Sequence, residues 1–275
     1  MSLFISSLNS GSNGNCYYIG NQDEAVLIDG GISCRETETC LKRIGLPIKR
    51  VKAIFVSHEH TDHIAGVTRL SRKYQLPVYI TKPTLLNGNL SVRDDLAISF
   101  RAYEPIRIGN LFITAFPKFH DAVDPHSFMV ASESVKVGVF TDIGKTCEHL
   151  IKHFEQCNAA FLESNYDEDM LETGRYPMGL KNRIRDGRGH LSNSQALQLF
   201  MKHKSAQLSH LFLSHLSKNN NTPKIVKDLF KSNAGRTEII IAPRNKETPL
   251  YHIRKTDRLV SPERPSLQQQ LSLFQ

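Results

Sequence analysis

The sequence predicts an α/β protein in which two sheets pack together with helices outside, as one domain followed by an extended tail. Three observations carry that expectation. Short β-branched runs alternate with amphipathic stretches along most of the 275 residues. Strands come in hairpin-like clusters near the start and in the middle, and alternate with helices elsewhere. The periodicity fails after Pro243.

The strands are expected at 3–8, 17–20, 25–29, 53–57, 78–80, 111–115, 128–131, 135–140, 159–162, 208–213 and 238–242. Their shortness, polar flanks and Val, Ile and Phe content favour strand over helix. A glycine-rich loop, residues 10–15, joins the first two. Ser33-x-x-Glu36 is a capping box that opens a helix, and residues 64–73 form another directly after a histidine-rich loop. Ser192-x-x-Gln195 opens a further helix, and Thr222-Pro223 puts proline at a first helical position. The domain is expected to span 1–243. Residues 244–275, rich in Arg, Lys, Pro, Ser and Gln, read as a largely disordered tail.

Composition narrows the class. Hydrophobic residues at 40% and charged residues at 23% exclude global disorder. No apolar run approaches the roughly 18–20 residues of a membrane span. The N-terminus turns polar after five residues and has no basic stretch, so no secretory signal is expected. Five scattered cysteines without a Cys-x-x-Cys pair read as free thiols in a reducing cytoplasm. The net charge of +8 allows a polyanionic partner without demanding one.

The most informative stretch is residues 53–63, where a hydrophobic strand ends and at once delivers His58, His60, Asp62 and His63. Imidazole nitrogens and a carboxylate are what zinc, iron or manganese accept, and a strand end aims them rigidly. A solvated polar loop that happens to hold three histidines is the bland alternative, and the tight spacing disfavours it.

This loop resembles the signature of the metallo-β-lactamase superfamily. The resemblance implies an αβ/βα four-layer sandwich and further ligands at strand ends: His120, Asp142 and His215. It implies one divalent ion on His58, His60, His120 and Asp142, and a second on Asp62, His63, Asp142 and His215. The pair would be zinc or manganese, with iron also open, sharing an activated water with Asp62 among the catalytic residues. His126 falls near but outside the pattern. His149, His153, His203, His210 and His252 are expected to be ordinary polar residues.

Two later motifs, residues 161–165 and 189–193, resemble those of tRNase Z-like phosphodiesterases, whose Glu–His couple assists proton transfer. That likeness implies catalytic roles for Glu163 and His190; otherwise Glu163 caps a loop and His190 merely begins a helix. Across residues 1–242 the chain is most similar to the bacterial YycJ/WalJ family. The similarity lies in residues 10–15, His120-Asp121-Ala122, Thr141-Asp142-Ile143-Gly144, 189–193 and 215–223. It implies a 5′-to-3′ exonuclease acting on DNA. The alternatives are a hydrolase of a small ester, lactone or cyclic nucleotide, and a clamp- or DNA-binding adaptor with a structural metal.

Substrate contacts are expected from Ser12, Asn13 and Asn15, whose loop is either a phosphate cradle of backbone amides or only a permissive turn. Arg185, Arg188 and Asn193 are also candidates. Acidic residues come first between Glu163 and His190 and basic ones follow, which reads as a backbone grip or as a solvated face.

The chain ends in a peptide, Gln270, Leu271, Leu273 and Phe274 among its residues, that resembles the one by which bacterial proteins bind the DNA polymerase sliding clamp. The alternative is docking of the same apolar residues on their own domain. Deleting residues 270–275 is expected to spare folding and cleavage of a short DNA end while abolishing clamp binding. A lowered melting temperature, with no clamp binding by the full chain, would make the peptide part of the fold.

Overall fold

A computed structural model describes residues 2–255. The first sheet contains β1 (Leu3–Asn9), β2 (Cys16–Gly20), β3 (Ala25–Ile28), β4 (Val51–Phe55), β5 (Val78–Tyr79) and β6 (Ala97–Ile98). The second contains β7 (Ile106–Ile108), β8 (Leu111–Pro117), β9 (His126–Ser132), β10 (Val135–Phe140), β11 (Ala159–Glu163), β12 (His210–Ser214) and β13 (Glu238–Ile241). A last strand, β14 (Tyr251–Ile253), returns to the edge of the first sheet, giving the orders β14-β1-β2-β3-β4-β5-β6 and β13-β12-β11-β10-β9-β8-β7. Both sheets are mixed: β3 to β6 and β10 to β13 run parallel, and the rest pair antiparallel.

Helices α1 (Cys34–Arg43), α2 (Thr61–Ile64), α3 (Val67–Tyr74), α4 (Lys82–Asn87), α5 (Glu148–Phe154), α6 (Glu168–Thr173), α7 (Met178–Arg185), α8 (Asn193–His203) and α9 (Pro223–Lys231) complete the fold. The period of two along each strand sorts side chains into layers. Val26, Ile28, Ala53 and Phe55 meet Ile113, Phe128, Val137 and Phe161 between the sheets. Leu27, Ile54 and Val56 point outward against Leu41, Val67 and Leu70 of α1 and α3. Leu162 and Leu213 pack against Phe154, Leu199 and Phe230 of α5, α8 and α9. The result is the expected αβ/βα sandwich.

The capping boxes at Ser33–Glu36 and Ser192–Gln195 form as expected, and Thr222 accepts from the Ile225 amide to start α9. The helix expected over 64–73 is split at Gly66, whose amide donates to the Gly30 carbonyl at 2.7 Å. Strands β6, β7 and β14 are additions, each only two or three residues long.

The domain boundary also moves, because residues 244–253 belong to the folded body. β14 pairs antiparallel with β1, the Ser7 amide donates to Thr248 Oγ1 at 3.0 Å, and Arg43 binds Glu247 through two hydrogen bonds of 2.9 and 2.6 Å. Polar composition concealed this segment, since it is held by an edge strand and side-chain anchors rather than by an apolar stripe. The clamp-like peptide lies outside the described residues.

Ile253 is fully buried, and such a side chain contributes about 1.5–3 kcal/mol. At roughly 2–4 °C per kcal/mol for a chain of this size, a protein ending at residue 243 should melt several degrees below one ending at residue 255. Equal melting temperatures would deny β14 a stabilising role.

Candidate metal centre

Parallel strands end on one edge, and that edge carries the polar cluster. His58 to His63 follow β4, His120 follows β8, Asp142 follows β10, Glu163 closes β11 and His215 follows β12. Three of the strand-end residues, Asp29, Asp142 and His215, take left-handed φ values of 61°, 56° and 56°. Such backbone is costly for non-glycine residues and persists where surrounding contacts over-determine it. Here the Asp142 and Ile143 amides donate to Glu163 at 3.2 and 2.8 Å, and the His215 amide donates to Ser10 Oγ at 2.8 Å. Gly31 is needed where the loops after β3 and β4 meet, because a Cβ there would sit 1.6 Å from the Asp62 carbonyl oxygen.

Two ligand sets form around Asp142. His58, His60 and His120 offer one group of converging nitrogens, with His60 Nδ1 at 3.2 Å from both His58 Nε2 and His120 Nε2. Asp62, His63 and His215 offer the other. Asp142 lies between them: Oδ2 is 3.0 Å from His63 Nε2, and Oδ1 is 3.8 Å from His120 Nε2. Every residue expected as a ligand is therefore brought to this edge.

Hydrogen bonds behind the rings select the tautomers. His63 Nδ1 donates to Asp29 at 2.7 Å and His120 Nδ1 donates to the Gly189 carbonyl at 3.0 Å. Ser57 Oγ donates to Asp29 at 2.9 Å, so His58 Nδ1, also 2.9 Å away, donates to Ser57. In each ring Nε2 is left as the ligand atom. Asp29 and Ser57 were not among the sequence candidates; a strand-end aspartate followed by Gly30-Gly31 was their signal.

The charge balance fits divalent cations. Asp29, Asp142 and Glu163 are buried and Asp62 is mostly so, against the buried Lys118, whose Nζ donates to the Thr141 carbonyl at 2.7 Å. Burial opposes charge on His215, but Asp142, Asp62 and Glu163 outweigh it and hold its pKa at about 10. Burial likewise opposes charge on Asp62, yet His63 and His215 bring it to about 2. Burial pushes His120 down to about 3 and His58 well below the usual range, leaving those rings as neutral donors. Asp142 Oδ2 and His215 Nε2 are buried without a hydrogen bond. These are the atoms that cations would satisfy.

Glu163 sits beside the ligands but has no lone pair to give. Oε1 receives His190 Nδ1 at 2.8 Å, His215 Nδ1 at 3.0 Å and the Asp142 amide, while Oε2 receives the Ile143 and Leu191 amides at 2.8 and 3.0 Å. Burial opposes its ionisation, but His190 and His215 lower its pKa to about 2. It is a positioning residue. His190, whose side chain is 22% exposed, lines the site's cavity of about 180 Å³ with Ser12, His60, Asp62 and Arg183.

The expected substrate residues separate. Ser12 lines the cavity and Asn13 faces a neighbouring one. Asn15 is buried and donates to Asp62 Oδ2 at 3.1 Å, which makes it a support for a ligand. The Gly11, Gly14 and Asn15 amides are engaged within the fold, which favours the turn over the anion cradle. Asn193 is fully buried against Ser164 and Asn221 and has no path to a substrate. A motif's position signals proximity to a site, not the direction a side chain takes. Arg185 is exposed and paired with Glu172 at 2.8 Å. Arg188 is exposed, and its carbonyl lies 3.1 Å from His120 Nδ1. Arg183, paired with Asp121, is the basic residue on the cavity wall.

The Metallo-beta-lactamase superfamily profile matches residues 10–159. The chain is 34% identical over 232 residues to exodeoxyribonuclease YycJ of Bacillus anthracis, covering 82% of this chain and 87% of that protein. It is 30% identical over 225 residues to exodeoxyribonuclease WalJ of Streptococcus pneumoniae, covering 80% and 84%. Among solved structures, the metallo-β-lactamase fold protein YhfI of Bacillus subtilis is similar with a TM-score of 0.71. That likeness covers 90% of this chain and 99% of the other at 17% identity, and it concerns the fold. With its strand-end ligands converging on Asp142, the chain belongs to the metallo-β-lactamase superfamily and, within it, to the YycJ/WalJ family.

Proposed function

We propose that this protein is a dinuclear metal-dependent exonuclease that shortens DNA, with the 5′-to-3′ polarity suggested by its family resemblance. The observation that carries the reading is the pairing of two ligand sets around Asp142 with an accessible His190 held by Glu163. The exodeoxyribonuclease names of its relatives point to the same substrate. A small-ester hydrolase calls for an apolar acyl pocket, whereas this cavity is walled by His, Asp and Arg with Leu180 and Ile184 as its apolar members. An adaptor with a structural metal has no use for an open cavity over the ligands.

His58, His60, His120 and Asp142 would hold one divalent ion, and Asp62, His63, Asp142 and His215 the other. Zinc, manganese or iron suits these ligands. Bound there, the ions supply Lewis acidity to the phosphate and lower the pKa of a water. The protein's own residues do the rest. Asp29 and Ser57 orient His63 and His58, and Asn15 steadies Asp62. Glu163 fixes His190 with Nδ1–H engaged, leaving Nε2 to give a proton to the departing alkoxide.

Five free cysteines suit a reducing cytoplasm, and no helix among the described residues is long and apolar enough to cross a membrane. A role in DNA replication or repair, with sliding-clamp attachment through residues 270–274, completes the reading.

Two substitutions test it. Asp142→Ala removes the shared ligand and should cost both bound metal, read by elemental analysis, and nuclease activity. Two ions per chain in that variant would refute the ligand assignment. His190→Ala should keep its metal yet lose turnover by roughly 10²–10⁴-fold, the usual effect of a positioned acid–base group. Wild-type kcat in the metal-replete variant would reduce His190 to a packing role.

A further inference from the structure

Beside the metal cavity lies a second one, of about 310 Å³, lined in part by Asn13, Arg35, Thr39, Asn245 and Lys246. The two share a wall, since Ser12 lines the first and its neighbour Asn13 the second. Arg244 crosses that wall. Its Nη1 donates to the Leu216 carbonyl at 2.9 Å and its Nη2 to Ser12 Oγ at 3.2 Å. Gly11 makes room for it, because a Cβ there would lie 2.6 Å from Arg244 Nη1. Asn13 Nδ2 clamps the same segment, donating to the Arg244 carbonyl at 2.6 Å and to Asn245 Oδ1 at 3.2 Å.

The cations around the metal site differ in whether they are already neutralised. On the α7 side, Arg183 is paired with Asp121 and Arg185 with Glu172. In the second cavity Arg43 is paired with Glu247, and Glu36 is turned into the α1 capping box, accepting from the Ser33 amide at 3.0 Å. Arg244, Lys246 and Arg35 form no ion pair with a carboxylate among the described residues. A paired guanidinium contributes little to phosphate binding, whereas an unpaired one releases counterions when a phosphate approaches.

We propose that Arg244, Lys246 and Arg35 form a track for the sugar–phosphate backbone, leading one strand from the metal cavity over the residue 10–15 loop into the second cavity. Arg244 meets the phosphate next to the reacting one, and the side-chain amide nitrogen of Asn245 supplies a neutral hydrogen bond along the way. The ligand class is a phosphodiester chain longer than a dinucleotide. This inference rests on the nuclease reading and adds to it the direction from which the strand is held.

The test pairs wild type with the Arg35→Glu/Lys246→Glu double variant, both positions being exposed. The ligands are a fluorescent oligothymidylate of about 20 nucleotides and, as the short control, the dinucleotide pdTpdT. Anisotropy of the phosphorothioate-linked strand in Mn²⁺ reads binding with turnover suppressed, and kinetics of the phosphodiester strand in Mn²⁺ read KM and kcat. The expected result is a rise of roughly tenfold or more in Kd and KM for the long strand, with a salt slope flatter by about 0.7 for each phosphate that the variant no longer neutralises. The KM of the dinucleotide should move less than about twofold, since it does not span both cavities.

Wild type that degrades the long strand, beside a double variant with unchanged Kd and salt slope, would overturn the track and leave the nuclease reading standing. Wild type that neither binds nor cuts the long strand would overturn both. Free dTMP displacing the long strand from wild type, but not from the double variant, at the long strand's own affinity would mark a mononucleotide pocket and also overturn the track.

Discussion

Asp29, Asp62, Asp142 and Glu163 bring four carboxylates to one edge of the sandwich, and all but Asp62 are almost entirely shielded from solvent. A buried carboxylate persists only where charge or hydrogen-bond donors compensate it, because its desolvation costs several kcal/mol. The rest of the edge follows from that demand. Lys118 supplies positive charge, backbone amides and the His190 and His215 rings saturate Glu163, and Asp142 keeps one oxygen without a hydrogen bond. The folded chain thus concentrates carboxylates at one edge, a ligand set that suits divalent cations.

Meeting that demand requires backbone that strands alone do not provide. Left-handed residues at Asp29, Asp142 and His215 turn each chain sharply as it leaves the sheet, so that side chains point across the edge rather than along it. Strain of about 1–3 kcal/mol at each such residue is tolerable only on a rigid base. Two packed sheets with a shared apolar layer are that base. Ser10, on the loop after β1, accepts from the His215 amide across the gap between the sheets, joining the two halves of the site.

Much of this is legible in the sequence. Period-two apolar runs locate the long strands, and His58, His60, Asp62 and His63 stand together because one loop delivers all four. His120, Asp142 and His215 are legible only through resemblance, since isolated histidines and aspartates carry no local signal. Strands of two or three residues, β6, β7 and β14, are too short for a periodic pattern. The segment around Arg244 reads as a tail although it is folded, because a polar stretch held by side-chain anchors has the composition of a tail. Asn15 and Asn193 lie near the site as expected but face away from any substrate, one toward Asp62 and one into the protein. Sequence motifs carry proximity; facing is decided by packing.

The position of Glu163 links the chemistry to the metal site. One oxygen receives both the His190 and the His215 ring, so the proposed proton donor and a proposed metal ligand share a single acceptor. In the proposed reaction, a proton leaving His190 would return electron density to that oxygen and strengthen its hold on His215 Nδ1, and the opposite nitrogen would become a better ligand for a cation. The two rings are therefore coupled through about 3 Å of carboxylate contact rather than acting as independent parts. Groups coupled in this way do not contribute additively, so neither can be assigned a separate share of the rate. The Asp142 and Ile143 amides bind the same carboxylate, extending the coupling to the residue between both ligand sets. With no lone pair left for a metal, Glu163 sets the geometry of His190, of His215 and of the Asp142 backbone together.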